Sequence, residues 1–239
     1  MPQSFNIFPL GDSALVIEFG DKIDVEINKR VGRLFKKLKE IEDPIITDLV
    51  PAYSSLAVYF NLFVLQQEKL GNESSFDLMA DFIESMALED EEEPEENRGL
   101  IEIPVCYISS FGSDLAISAQ HKDLSIEQFI EIHTSLVYRV FMIGFLPGFP
   151  YMGEIDERIA LPRKVIPRKE VPAGSVGIAG RQTGIYPLSS PGGWQIIGRT
   201  PVCLFNKNNH RPVLLQAGDE VKFYSITEHE FADYQGGNS

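Results

Sequence analysis

The chain has 239 residues and a mass of 26.8 kDa, with 44% hydrophobic and 23% charged side chains and a formal charge of −14. That is enough apolar material for one large domain or two small ones, and it is too negative to hold nucleic acid or an anionic bilayer through a cationic footprint. No stretch approaches the ~18 consecutive apolar residues of a membrane span, the start lacks the basic-then-apolar pattern of a secretory signal, and Cys106 and Cys203 by themselves make neither a disulfide framework nor a four-ligand zinc site, so a cytoplasmic protein without a metal is expected.

Residues 13–19 are rich in β-branched and aromatic side chains and read as a strand. Asp24 is placed to cap a helix in which Ile27, Val31, Leu34, Leu38 and Ile41 recur at steps of three and four, and Pro44 stops it. Residues 45–50 and 55–60 read as two more strands around a turn at Pro51-Ala52-Tyr53. A second helix from Ser75 carries Phe76, Met79, Phe82, Ile83 and Met86 on one face. Strand, helix, strand, strand, helix is most of a ferredoxin-like split βαβ sandwich, with residues 100–105 available as its last strand.

The charge is unevenly spread. Residues 1–99 hold 9 basic and 21 acidic side chains, whereas residues 100–239 hold 12 and 14. The change follows an acidic tract containing Pro94 and Gly99, which reads as a solvated linker because dense like charges repel and extend the chain. The expected organisation is an N-terminal domain over residues 1–88, a linker over 89–99 and a second domain over 100–239.

In the second segment, Ser125 and Gln128 fit a capping box at the start of a helix. Beyond residue 137 the texture changes, with 11 of the 19 glycines and nine of the 15 prolines falling between residues 144 and 218. Long helices do not survive that density, and many short strands joined by tight turns do, so a β-barrel or sandwich is predicted. The fold class expected is thus α+β.

Three stretches could carry chemistry. Residues 144–153 set Phe145, Phe149 and Tyr151 in a loop stiffened by Pro147 and Pro150, suited either to lining a pocket or to packing on its own barrel. Residues 154–211 hold nine basic and four acidic side chains, and Pro162-Arg163 recurs as Pro167-Arg168. A guanidinium fork beside a proline suits a carboxylate or phosphate, so a small anion is one reading and pairing with the surplus carboxylates is the other. Gly174, Gly177, Gly180 and Gly184 surround Arg181, Gln182 and Thr183 without forming a Walker or dinucleotide motif. Trp194, the one tryptophan, follows Gly192-Gly193 and suits a ligand platform or a barrel plug. His133 is a candidate general base or a hydrogen-bonded structural histidine.

At these residues the sequence resembles a known family. Gly144-Phe145-Leu146-Pro147-Gly148-Phe149-Pro150-Tyr151, the paired Pro-Arg, residues 171–187 and Ser190-Pro191-Gly192-Gly193-Trp194-Gln195 through Arg199-Thr200-Pro201 are similar to the B subunit of 5-oxoprolinase, also labelled allophanate hydrolase subunit 1, a family that includes an inhibitor of a sporulation sensor histidine kinase. The resemblance implies an N-terminal ferredoxin-like domain and a cyclophilin-like β-barrel. It implies a hydrolase subunit, inactive without its partner subunits A and C, that opens 5-oxoproline to glutamate with ATP as co-substrate. On that basis Arg163, Arg168, Arg181 and Arg199 are expected to clamp carboxylate and phosphate, Gln182 and Thr183 to bond the lactam amide, and Tyr151, Tyr186 and Trp194 to wall the pocket. The sequence departs from the family pattern after Cys106-Tyr107, where Ile108-Ser109-Ser110 replaces Gly-Gly-Glu. A histidine-kinase inhibitor and a carboxyltransferase-type subunit of an allophanate or urea system are the rival functions; no Met-Lys-Met biotin-carrier sequence is present.

Overall fold

In the computed structural model, residues 5–68, 74–88 and 99–234 are described, and the chain divides into two compact units, Met1–Glu96 and Asn97–Ser239. The acidic tract expected as a linker lies, apart from Gly99, outside the described residues.

The first unit contains β1 (Asn6–Pro9), β2 (Ala14–Glu18), α1 (Val25–Ile41), β3 (Ile46–Pro51), β4 (Ser55–Phe60), α2 (Leu62–Glu68) and α3 (Ser75–Leu88). Asp24 caps α1 as its position suggests: its carboxylate accepts from the backbone N–H of Glu26 at 2.8 Å and of Ile27 at 3.0 Å. The three-and-four spacing turns Val31, Leu34 and Leu38 onto Leu15, Ile17, Leu56 and Val58 of the sheet, and Met79 and Ile83 of α3 complete that core.

The strand order is β1-β2-β4-β3, antiparallel throughout. This differs from the ferredoxin-like layout expected. The edge beside β2 that residues 100–105 would fill is taken by β1, which precedes β2 in a short hairpin. A connection of four residues closes at little entropic cost, whereas recruiting a strand from residue 100 would close a far longer loop.

The second unit contains β5 (Leu100–Val105), α4 (Leu115–His121), α5 (Ile126–Ser135), β6 (Val137–Ile143), β7 (Pro150–Gly153), a 3₁₀ turn (Glu157–Ile159), β8 (Arg168–Val171), β9 (Ser175–Ala179), β10 (Gln182–Ile185), β11 (Ser190–Gly192), β12 (Gln195–Arg199), β13 (Glu220–Ser225) and α6 (Glu228–Tyr234). Seven strands form one sheet in the order β12-β9-β10-β7-β6-β13-β5. The sheet curls until its two outer strands meet: Cys106, just past β5, and Arg199, at the end of β12, exchange backbone hydrogen bonds of 2.8 and 3.0 Å. Inside are Val105, Phe129, Tyr138, Val140, Val176, Ile178, Ile185 and Phe223, all essentially without solvent contact. The capping box of α5 is present, with Gln128 N–H donating to Ser125 Oγ at 3.1 Å and Ser125 N–H to Gln128 Oε1 at 2.9 Å. The ribbon of β8 and β11 is separate from this sheet.

Candidate functional site

Strand alternation decides what each wall residue can do. On β9 and β10, Val176, Ile178 and Ile185 belong to the interior core, whereas Ala179, across the ladder from Gln182, belongs to a second cluster of Phe149, Val171, Tyr186, Trp194 and Ile196. That outer face is kept shallow by glycine. A Cβ on Gly184 would lie 3.1 Å from the Phe149 ring, and one on Gly177 would lie 3.1 Å from Trp194 Cβ. Phe149 makes edge contacts with Tyr186 and Trp194, with ring centroids 5.1 and 5.4 Å apart, and Tyr151 lies 4.8 Å from Phe149 and 5.9 Å from Trp194. Residues 144–149 deliver this ring through a tight turn, with Phe149 N–H bonded to Leu146 O at 3.0 Å and Gly148 in the left-handed region at φ 81°.

The guanidinium of Arg163 sits 5.8 Å from the Trp194 ring centroid, a cation–π placement. Burial raises the phenol pKa of both Tyr151 and Tyr186, and the charge of Arg163 opposes that rise in each, so both phenols stay protonated at neutral pH.

Behind this patch is a buried carboxylate. Asp114 accepts from Lys164 Nζ at 2.9 Å and from Arg168 Nη2 on one oxygen, and from Ile196 N–H at 2.7 Å on the other. Arg168 also donates to Trp194 O at 3.3 Å and to Ser113 Oγ at 3.2 Å. Burial alone would raise the Asp114 pKa, and the hydrogen bonds from Arg168, Lys164 and Ile196 outweigh it, so the carboxyl sits below its usual range. Asp114 precedes α4 without capping it through its side chain; its carboxylate is committed to the cations.

The expected site residues therefore separate. Tyr151, Arg163, Arg168, Tyr186 and Trp194 come together, and Gln182 lies on the same outer face. Arg168 is tied into the Asp114 node, while Arg163 has no carboxylate partner among the described residues. Arg181 lies elsewhere, paired with Glu154 at 2.8 Å and Glu157 at 2.7 Å. Arg199 stands at the barrel seam, its Nε donating to Ala173 O at 2.8 Å and its guanidinium 5.7 Å from the Phe111 ring. Thr183 faces inward and is fully buried, accepting from His133 Nε2 at 3.0 Å and donating to Gly177 O at 3.2 Å. Asp114 and Lys164 are the participants that sequence reasoning missed. The signal that points to them is the cation excess of residues 154–211, which needs a counter-ion close by.

His133 has no access to solvent. Tyr107 O–H donates to its Nδ1 at 2.8 Å, its ring stacks on Phe223 at 4.8 Å, and burial pushes its pKa down to about 3. Because Thr183 spends its own proton on Gly177, the network assigns the neutral Nε2–H tautomer. A sealed, neutral imidazole of this kind is structural. Among the described residues, no three His, Cys, Asp or Glu side chains are grouped to hold a metal ion, and no helix is long and apolar enough to cross a membrane.

The class of this protein follows from a match over most of its length. A family model described as carboxyltransferase domain, subdomain C and D, matches residues 5–215, and the chain belongs to that family. Within it, the chain is 44% identical to the B subunit of 5-oxoprolinase from Bacillus subtilis (strain 168), with 98% of each chain covered. The crystal structure of TTHA0988 matches at 35% identity with a TM-score of 0.75, covering 89% of this chain but only 40% of that one. The Kluyveromyces lactis urea amidolyase shares the fold at 18% identity and a TM-score of 0.76, and this chain spans 16% of it.

Proposed function

We propose that this protein is the B subunit of an ATP-dependent 5-oxoprolinase, acting in the cytoplasm with subunits A and C to convert 5-oxoproline to glutamate. The observation that carries this reading is the 44% identity to a protein so named, over 98% of both chains. In the same reading the curled sheet is the cyclophilin-like barrel and residues 89–99 join the two units.

A lactam is a poor electrophile. Transfer of the γ-phosphoryl group of ATP to the lactam oxygen releases ADP and activates the ring carbon. Water adds there and the ring nitrogen leaves as the amine. A second water then separates the acyl group from phosphate. Arg163 would take the substrate carboxylate, as its guanidinium needs little rearrangement to accept a bidentate anion. Trp194 and Tyr151 would flank the ring, and Gln182 would reach the lactam amide from the outer face. Arg168 and Lys164 would hold that frame through Asp114, and Thr183 would act from within the wall by fixing β10.

The test is co-expression with subunits A and C and an assay of glutamate release from 5-oxoproline. ATP-dependent release that disappears when this chain is omitted is expected; equal release without it overturns the reading. The family description favours a second reading, a carboxyltransferase-type subunit acting on urea or allophanate. Turnover of those substrates with a separate biotin carrier, and none of 5-oxoproline, would select it.

A further inference from the structure

We infer that the loop of residues 162–167 is the docking element through which the barrel unit binds a second polypeptide, the counterpart of the part of the TTHA0988 chain that this protein does not match. The inference rests on the subunit reading above and adds the surface and the kind of partner.

Val165 is 99% exposed and Ile166 81% exposed, more than any other large apolar side chain among the described residues. Two adjacent aliphatic side chains held in water are costly to leave uncovered. The loop that carries them is nonetheless fixed at both ends. Gln195 Nε2 donates to Pro162 O at 3.0 Å, Lys164 N–H donates to Gly193 O at 2.7 Å, and Lys164 and Arg168 both grip Asp114. Pro162 and Pro167 stiffen it further. An apolar tip on a rigid base loses little conformational freedom on binding, which is the property of an interface anchor.

The surroundings define the partner's chemistry. Arg163 and Lys169 flank the tip and residues 154–211 are net cationic in a chain of charge −14, so the complementary surface is an apolar hollow rimmed by carboxylates. A second copy of this chain is disfavoured by like charge. The lengths of the relatives point to the occupant. The Bacillus subtilis relative is matched over 98% of its length, whereas in TTHA0988 the same module occupies 40% of a longer chain. A module found both alone and joined to a further segment has that segment as its natural neighbour. Seated on Val165 and Ile166, the neighbour would also close over Trp194 and Arg163 and exclude water from them.

The experiment titrates this protein with the polypeptide of the same genome that is most similar to the unmatched part of TTHA0988, by calorimetry, alongside size-exclusion chromatography with light scattering. Wild type is expected to bind, and the double variant Val165→Asp, Ile166→Asp to bind about 100-fold more weakly, with circular dichroism and Tm unchanged. Phe63→Asp, an exposed apolar site in the first unit, should bind as wild type does. Equal affinity of wild type and double variant overturns the docking loop and leaves the subunit reading standing. No binding by wild type, with glutamate still released by the three-subunit mixture, overturns the loop alone; with no release either, both readings fail. Self-association of wild type that the double variant abolishes would name a second copy as the occupant and overturn the proposed partner.

Discussion

Gln182 and Thr183 are consecutive in β10, yet they face different worlds. Thr183 points into a buried interior, where it bonds His133 and Gly177 O and where Tyr107 bonds the other ring nitrogen of His133. Gln182 points to the outer face, where Trp194 and Tyr186 are nearly as buried but Tyr151 and Arg163 still meet solvent. The interior is polar chemistry made inert by burial. The outer face is an aromatic floor with a cation above it, backed by a carboxylate that holds its neighbours in place. Burial therefore does not separate core from site here; what separates them is whether a polar group still has bonding capacity to offer.

That contrast can be broken most forcefully at Trp194. If the outer cluster is a true second core, Trp194→Ala should cost about 3–5 kcal/mol of stability, read from the urea midpoint; a loss under ~1 kcal/mol would make the cluster mere surface decoration. Asp114→Ala comes next. It leaves Lys164, Arg168 and the Ile196 N–H without their acceptor, and because both cations retain some solvent the expected loss is about 2–3 kcal/mol. For the same reason Arg168→Ala should lower stability as well as activity.

The interior is tested by pH. His133 titrates near 6.5 in the unfolded chain and at about 3 when folded. Between those values the unfolded state binds the extra proton, so stability holds above pH 6.5 and falls on acidification below it, by up to about 1.4 kcal/mol per pH unit. The depressed carboxyl of Asp114 adds its own loss only lower, as pH drops through the carboxylate range. His133→Gln should flatten the slope between pH 6.5 and 4.5 in chemical denaturation; an unchanged slope would show that this histidine is not the sensitive group. The smallest effect on stability belongs to Arg163→Ala, within about 0.5 kcal/mol, combined with an increase of about tenfold in KM for 5-oxoproline in the reconstituted complex. An unaltered KM would remove Arg163 from the site.

Much of this is legible in the sequence. The α1 stripe, the Asp24 cap and the Ser125–Gln128 box are local, and local signals stand in the order of residues. The density of glycine and proline after residue 137 points to the short-strand architecture. Parity is what stays hidden. Alternation along residues 182–185 says that neighbours face opposite ways, but not which way is inward, and Gly177 and Gly184 conceal the answer because they leave room for rings that arrive from residues 149 and 194. The Asp114 node is equally hidden, since its cations lie 50 and 54 residues further along the chain. The edge strand of the first sheet is misread because a short hairpin outcompetes a distant segment of equal β-propensity.

The pairing of β5 has a consequence for how the barrel unit forms. β5 runs parallel to β13 in full register, Leu100 beside Glu220 and Val105 beside Ser225. A chain without residues 220–225 would leave β5 with no ladder partner and β6 paired only with β7, the kind of open edge on which unfinished chains aggregate. β13 is thus the stitch that holds β5 to β6, and the barrel cannot protect those edges until residues 220–225 are in place.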